Sequence, residues 1–208
     1  LSAKLLKESG DERAVRKNED VVRLDKIAKL LTPTAKLFCS EEANFVSYQA
    51  LQIFGGSGYT EEYDIAKIYR DARICTIYEG TTQLQAVAAI GGIVEGLREN
   101  GFLLGHLRAE TGKLTDAKVK DALNADVDTL AKLVPQYKER ENKEAVSIDM
   151  VSAFARIYVS ILLAQQLQIA RQKGLTEIAA SKAKTFPHFH VMSRRYLAGL
   201  AVAIANAA

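Results

Sequence analysis

Proline is nearly missing from this chain, with three in 208 residues, and no convincing run of alternating β-branched residues occurs. With few breakers and no period-two pattern, sheet folds drop out, and the plentiful Ala, Leu, Lys, Gln and Glu argue for helix almost throughout. Cysteine is as scarce. Cys39 and Cys75 are far apart, form no Cys-x-x-Cys pair and have no His-rich run beside them, so both are expected as buried small residues of a reduced, cytoplasmic protein. Neither sign of charge dominates. A net charge of +3 is too small and too evenly spread for a nucleic-acid surface. No basic-then-apolar leader opens the chain, and the apolar end, Tyr196 to Ala208, is shorter than the ~20 residues a spanning helix needs. That end is expected to pack into the protein, and membrane contact is not expected. The chain starts on Leu1 rather than Met, so material preceding it is expected.

What is present is amphipathic helix. Leu1 to Ser9 reads as a helix tail ended near Gly10, followed by a polar link. From Val21 to Phe54, Leu24, Ile27, Leu30, Leu31, Thr34, Leu37 and Phe38 recur every three or four residues, the stripe of a long helix, with Pro33 placed to kink or divide it. Asp64 to Thr76 reads as a short helix with Arg70, Asp71 and Arg73 as an ion-pair cluster. A helix from Thr81 to about Glu99 carries small residues suited to close packing. Asn100 and Gly101 then mark a boundary between two units, 1–100 and 101–208, with Leu103 to Thr115 as a connection. Asp116 to Arg140 and Lys143 to Lys173 are amphipathic helices, the second ended by Gly174. Thr176 to Ala208 reads as a helix pair divided near Pro187, giving a second helical bundle. His188 and His190 do not share a helix face, and no Cys or acidic pattern completes a metal site around them.

Gln52 to Gln85 holds the chemistry. Gly55, Gly56 and Gly58 allow positive φ and close backbone approach at the end of the long helix. No strand precedes them and no Lys-Ser/Thr follows, which removes the phosphate-loop and dinucleotide-fold readings. Glu79 lies between Ile77, Tyr78 and Gly80, where desolvation would raise its pKa and suit it to act as a general base. Thr81 or Thr82 is placed to cap the next helix. Taken alone, such an acid is more often a solvated loop carboxylate.

Three motifs stand here in order: Gln-x-x-Gly-Gly-x-Gly-Tyr at Gln52 to Tyr59, Arg-Asp-Ala-Arg at Arg70 to Arg73, and Ile-Tyr-Glu-Gly-Thr at Ile77 to Thr81. The stretch resembles the carboxy-terminal helical domain of the acyl-CoA dehydrogenases, closely over about Leu31 to Ala89. The resemblance implies an all-α fold, a bundle of that type followed by the extra helical domain of the larger family members. It implies Glu79 as the base that removes the α-proton of an acyl-CoA thioester while the β-hydrogen leaves as hydride to FAD. Gln52, Gly55 and Gly56 would reach the FAD of a neighbouring subunit, Thr81 and Gln83 the FAD of their own, and Tyr78 and Gly80 would line the acyl-CoA path. A homodimer is implied, with an electron-transferring flavoprotein as the family's usual acceptor. The family's flavin pocket comes mostly from an amino-terminal helical domain and a β-domain that are absent here, so this stretch alone is expected to be inactive or nearly so. Gly91 stands where many members carry an arginine for CoA. The alternative is a helical module that kept the scaffold and serves only association.

Overall fold

Helix accounts for nearly all of residues 10–206, the part described by the computed structural model, and no strand occurs among them. The expected tail at Leu1 to Ser9 lies outside the described residues. The expected polar link after Gly10 is instead helical. Asp11 and Asn18 each accept two backbone N–H bonds and so cap two consecutive helices, α1 (Glu12–Lys17) and α2 (Glu19–Phe54). Side-chain caps of this kind satisfy donors that would otherwise fray a polar segment.

Helix α2 runs 36 residues through Pro33 without being divided. Pro33 is buried between Leu30 and Leu37, and the Thr32 and Thr34 hydroxyls bond back to the Ala28 and Leu30 carbonyls at 2.9 Å. Packing on that face outweighs the missing N–H. The stripe of Ile27, Leu30 and Leu37 continues as Ser40 and Ser47, both buried, so the same face turns from large and apolar to small and polar. Leu24, expected on it, is exposed.

A single-turn α3 (Gly56–Tyr59) follows, then α4 (Ile65–Ile74) and α5 (Thr82–Gly96). Helix α5 packs on α2 through Ala86, Ala89 and Ile93, all fully buried, and a Cβ on Gly92 would sit 3.3 Å from Leu30 Cδ1. Arg70, Asp71 and Arg73 do not form the expected cluster. All three are exposed and, among the described residues, share no ion pair, because α4 turns that face outward. The cysteine expectation also fails: Cys39 is exposed and Cys75 half-buried.

Past Asn100, whose φ is +60°, the expected connection is a helix, α6 (Phe102–Gly112), which buries Leu103, Leu104 and Leu107. Then come α7 (Ala117–Glu139), a 3-10 turn (Glu144–Val146), α8 (Ser147–Gln172) and α9 (Thr176–Ala205). Helix α9 passes through Pro187 undivided, pinned on one side by buried Phe186 and on the other by Ser193 and Leu197. Gly174, at φ +67°, separates α8 from α9. Helix α8 is long and apolar enough to cross a bilayer by length and composition, yet here it is the central core helix, burying Met150, Val151, Phe154, Ile157 and Ile161. One continuous core joins Leu37 and Ile93 to Leu130, Phe154 and Leu200, so residues on both sides of Asn100 share it.

Two polar clusters tie these helices together. Arg156 of α8 pairs with Glu42 of α2 and lies 5.1 to 5.9 Å from the rings of Phe38, Phe189 and Tyr196. His190 Nε2 is 2.6 Å from Asp126 Oδ2 on α7, and Arg194 Nε is 3.3 Å from the other carboxylate oxygen. In contrast, large apolar side chains stay exposed over residues 45–87, among them Phe45, Val46, Tyr48, Ile53, Tyr59, Ile68, Ile74 and Val87.

Candidate active-site loop and adjoining cavity

The loop that carries Glu79 is anchored at both ends. On its amino-terminal side, the Tyr78 N–H reaches the Ile74 carbonyl at 3.1 Å, continuing α4 by one turn. On its carboxy-terminal side, the Thr82 N–H bonds the Thr76 carbonyl at 3.3 Å, and Thr81 caps α5 by accepting from Leu84 N. Between them the chain turns through Glu79 at φ +51° and Gly80 at φ +93°. A left-handed glutamate is uncommon and is held only where its surroundings fix it. The φ of Gly80 is one that side-chain-bearing residues rarely adopt, and a Cβ there would also displace the Gln85 amide, 2.7 Å away.

Glu79 is exposed. The desolvation expected of it is therefore absent within residues 10–206. Among the described residues, no hydrogen bond takes up the N–H groups of Glu79 and Gly80. The carbonyls of the same two residues are occupied, Glu79 O by Gln85 Nε2 at 2.9 Å and Gly80 O by Lys36 Nζ at 2.5 Å. The turn thus presents a free carboxylate and free donors on an exposed surface.

Next to the loop is a cavity of about 710 Å³. Thr81, Thr82 and Gln83 from α5 form one wall, Glu41 and Asn44 from α2 another, Arg73, Thr76 and Ile77 a third, and Ile148 of α8 closes an edge. Glu41 accepts from the Thr82 hydroxyl. Asn44 Nδ2 donates to the Ala72 carbonyl at 3.0 Å and so holds the end of α4 against α2. Gln83 Nε2 reaches Ser147 Oγ at 3.3 Å, a bond across the residue-100 boundary. The lining thus carries a guanidinium, three hydroxyls, two side-chain amides and one carboxylate, a polar surface on which Arg73 and Glu41 supply charges of opposite sign.

Thr81 and Gln83 therefore meet in one cavity, while Tyr78, Glu79 and Gly80 form the loop beside it. Gln52, Gly55 and Gly56 are not among the residues lining that cavity. They are exposed at the far end of α2, where Gly55 takes φ +62° and a Cβ on Gly55 or Gly56 would meet nothing within 4 Å. Gly58 differs: it is buried, and a Cβ there would strike Phe54 Cβ at 2.5 Å. Gly91 is exposed with open space around it. Sequence reasoning missed Lys36, Glu41 and Asn44. Asn44 had a signal, the break in the apolar stripe of α2, where Ser40, Asn44 and Ser47 continue at helical spacing as small polar residues; Lys36 and Glu41 had none.

Residues 12–90 match the family model for the acyl-CoA dehydrogenase C-terminal domain. This segment carries that domain. The chain is 48% identical over 75 residues, 36% of its length, to the 3-methylmercaptopropionyl-CoA dehydrogenase of Ruegeria pomeroyi. It is 44% identical over 61 residues, 29% of its length, to the CarC subunit of the caffeyl-CoA reductase–Etf complex of Acetobacterium woodii. Acyl-CoA dehydrogenase family member 11 of Caenorhabditis elegans is 29% identical over 174 residues, a match that takes in 76% of the chain and so extends past the acyl-CoA dehydrogenase domain into the helices after Asn100. The matches span 12%, 16% and 28% of those relatives, respectively.

Proposed function

We propose that this chain is the carboxy-terminal part of an FAD-dependent acyl-CoA dehydrogenase, with Glu79 as the base that removes the α-proton of an acyl-CoA thioester. One observation carries the reading: Glu79 is held in a left-handed turn with its carboxylate exposed and its own N–H unpaired. A thioester carbonyl that accepts from this N–H places its α-carbon near the carboxylate, and the same bond stabilises the enolate-like charge as the proton leaves. Tyr78 and Gly80 flank that path. A bound FAD would supply the hydride acceptor for the β-hydrogen. Thr81 and Gln83 would hold the flavin nucleotide of their own subunit in the 710 Å³ cavity, and Gln52, Gly55 and Gly56 that of a partner in a homodimer, where their open backbone allows close approach. Residues 1–100 would supply the acyl-CoA dehydrogenase unit and 101–208 an additional helical unit that shares its core. An electron-transferring flavoprotein is the proposed acceptor, in keeping with the resemblance to a subunit of an Etf complex. The chain alone is inactive, because an amino-terminal helical domain and a β-domain complete the flavin pocket.

The test is Glu79→Gln in the flavin-loaded enzyme that contains this segment. Loss of the base lowers kcat by about 10²- to 10⁴-fold with flavin absorption intact; full turnover refutes the assignment. The exposed apolar surface over 45–87 favours a second reading, a non-catalytic association module. That reading stands if the flavin-loaded enzyme shows no acyl-CoA-dependent bleaching.

A further inference from the structure

Lys36 touches the active loop twice. Its ammonium donates to the Gly80 carbonyl at 2.5 Å and lies 5.7 Å from the centre of the Tyr78 ring. It therefore grips the residues on either side of Glu79 and leaves the carboxylate itself free. Gln85, one turn into α5, holds the remaining carbonyl, Glu79 O, at 2.9 Å. The two side chains come from different helices, Lys36 from the middle of α2 and Gln85 from α5, so the turn is clamped between them. The positive φ of Glu79 is unfavourable in an unrestrained chain, and these are the side-chain contacts that fix the carbonyls of the turn.

We infer that Lys36 and Gln85 are positioning residues that hold the Glu79–Gly80 turn in its left-handed geometry and so present the Glu79 carboxylate in one orientation. The catalytic consequence rests on the function proposed above; the clamp itself does not. A charge-assisted bond to Gly80 O, backed by a cation–π contact, is the stronger half. The amide bond from Gln85 closes the other side and packs where a Gly80 side chain would otherwise stand.

Amide hydrogen exchange followed by NMR on this chain tests the clamp. In Lys36→Met and in Gln85→Leu, the Tyr78 and Thr82 amides, whose bonds bracket the turn, exchange about tenfold or more faster than in the wild type. The Leu123 and Leu130 amides of α7 keep the wild-type rate, and Lys36→Arg restores most of the lost protection. Unchanged exchange at Tyr78 and Thr82 in both variants overturns the inference. Should Lys36→Met loosen the whole chain, Gln85→Leu decides, because Gln85 lies outside the core. In the flavin-loaded enzyme, a loosened turn lowers kcat about 10-fold or more at unchanged KM, with partial rescue by Lys36→Arg. A loosened turn with unaltered kcat overturns the positioning role. If the turn loosens while Glu79→Gln keeps full turnover, the clamp stands and Glu79 is not the base.

Discussion

Replacing Arg156 by methionine removes the guanidinium that joins the two halves of the chain, while a flexible apolar side chain of similar reach remains. In the structure that group pairs with Glu42 and faces three rings, Phe38 at 5.4 Å, Phe189 at 5.9 Å and Tyr196 at 5.1 Å. The paired side chains are 19% and 30% exposed, so water screens them only in part. Losing a hydrogen bond between charged groups costs about 1.5–3 kcal/mol. Weakened cation–π attraction adds about 0.5–1 kcal/mol per ring, partly regained by methionine packing on the same rings. The net expectation is about 3 kcal/mol, which for a chain of this size lowers the melting temperature by roughly 6–12 °C. Glu42→Gln leaves Arg156 on its three rings and costs less, about 1–2 kcal/mol. The double variant should then cost less than the sum of the two by about 1–2 kcal/mol. Urea unfolding followed by far-UV circular dichroism on the four chains gives both numbers. A Lys substitution is no rescue, because an ammonium cannot keep the planar stacking. If Arg156→Met costs under ~1 kcal/mol, or if the two substitutions add without coupling, the clamp between the halves is refuted.

Other expectations rest on single sites. Burial, with a smaller push from Lys113 and Arg23 and a counter-pull from Glu110, holds His106 below its ordinary 6.5; its contribution is therefore present above ~6.5 and is lost as pH falls below it. Urea midpoints taken from about pH 7.5 down to 5.5 should fall for the wild type and fall less for His106→Gln; equal slopes would remove His106 as the cause. Burial and the bond to Asp149 at 2.6 Å push Tyr196 up to about 12, so its contribution is lost as pH rises from the ordinary value near 10 toward 12, and ultraviolet titration of Tyr196→Phe should lack this late-ionising phenol. Gly101→Ala drives a Cβ into the Gly96 carbonyl and should cost about 1–3 kcal/mol in urea unfolding, whereas Gly91→Arg, placed in open space on α5, should stabilise by up to ~0.8 kcal/mol through helix propensity. The exposed apolar side chains over 45–87 should make the chain self-associate and bind an apolar dye; a concentration-independent monomer mass by sedimentation, with no dye signal, would count against that.

The all-α fold was legible in the sequence because helix rests on local spacing. Leu123, Val127, Leu130 and Val134 recur at helical intervals, and all are buried in α7; Phe154, Ile157 and Ile161 do the same in α8. The order of the three motifs was equally local, and so was the cap that Thr81 places on α5. Other features depend on what lies across the fold. Whether Pro33 and Pro187 divide their helices is decided by the neighbours that hold the buried face on both sides, since the missing hydrogen bond is outweighed by packing. The Arg70, Asp71 and Arg73 cluster, though plausible as spacing, does not form because, among the described residues, that face of α4 is left exposed. His190 carries no signal of its own until α7 places Asp126 beside it. The Glu79 loop shows the same division. Sequence alone supplied Glu79 and its neighbours, because residues in one turn must be close. Lys36 is 44 positions from Gly80, and only the packing of α2 against α5 puts its ammonium on that carbonyl; no periodicity records a contact between side chains so distant along the chain.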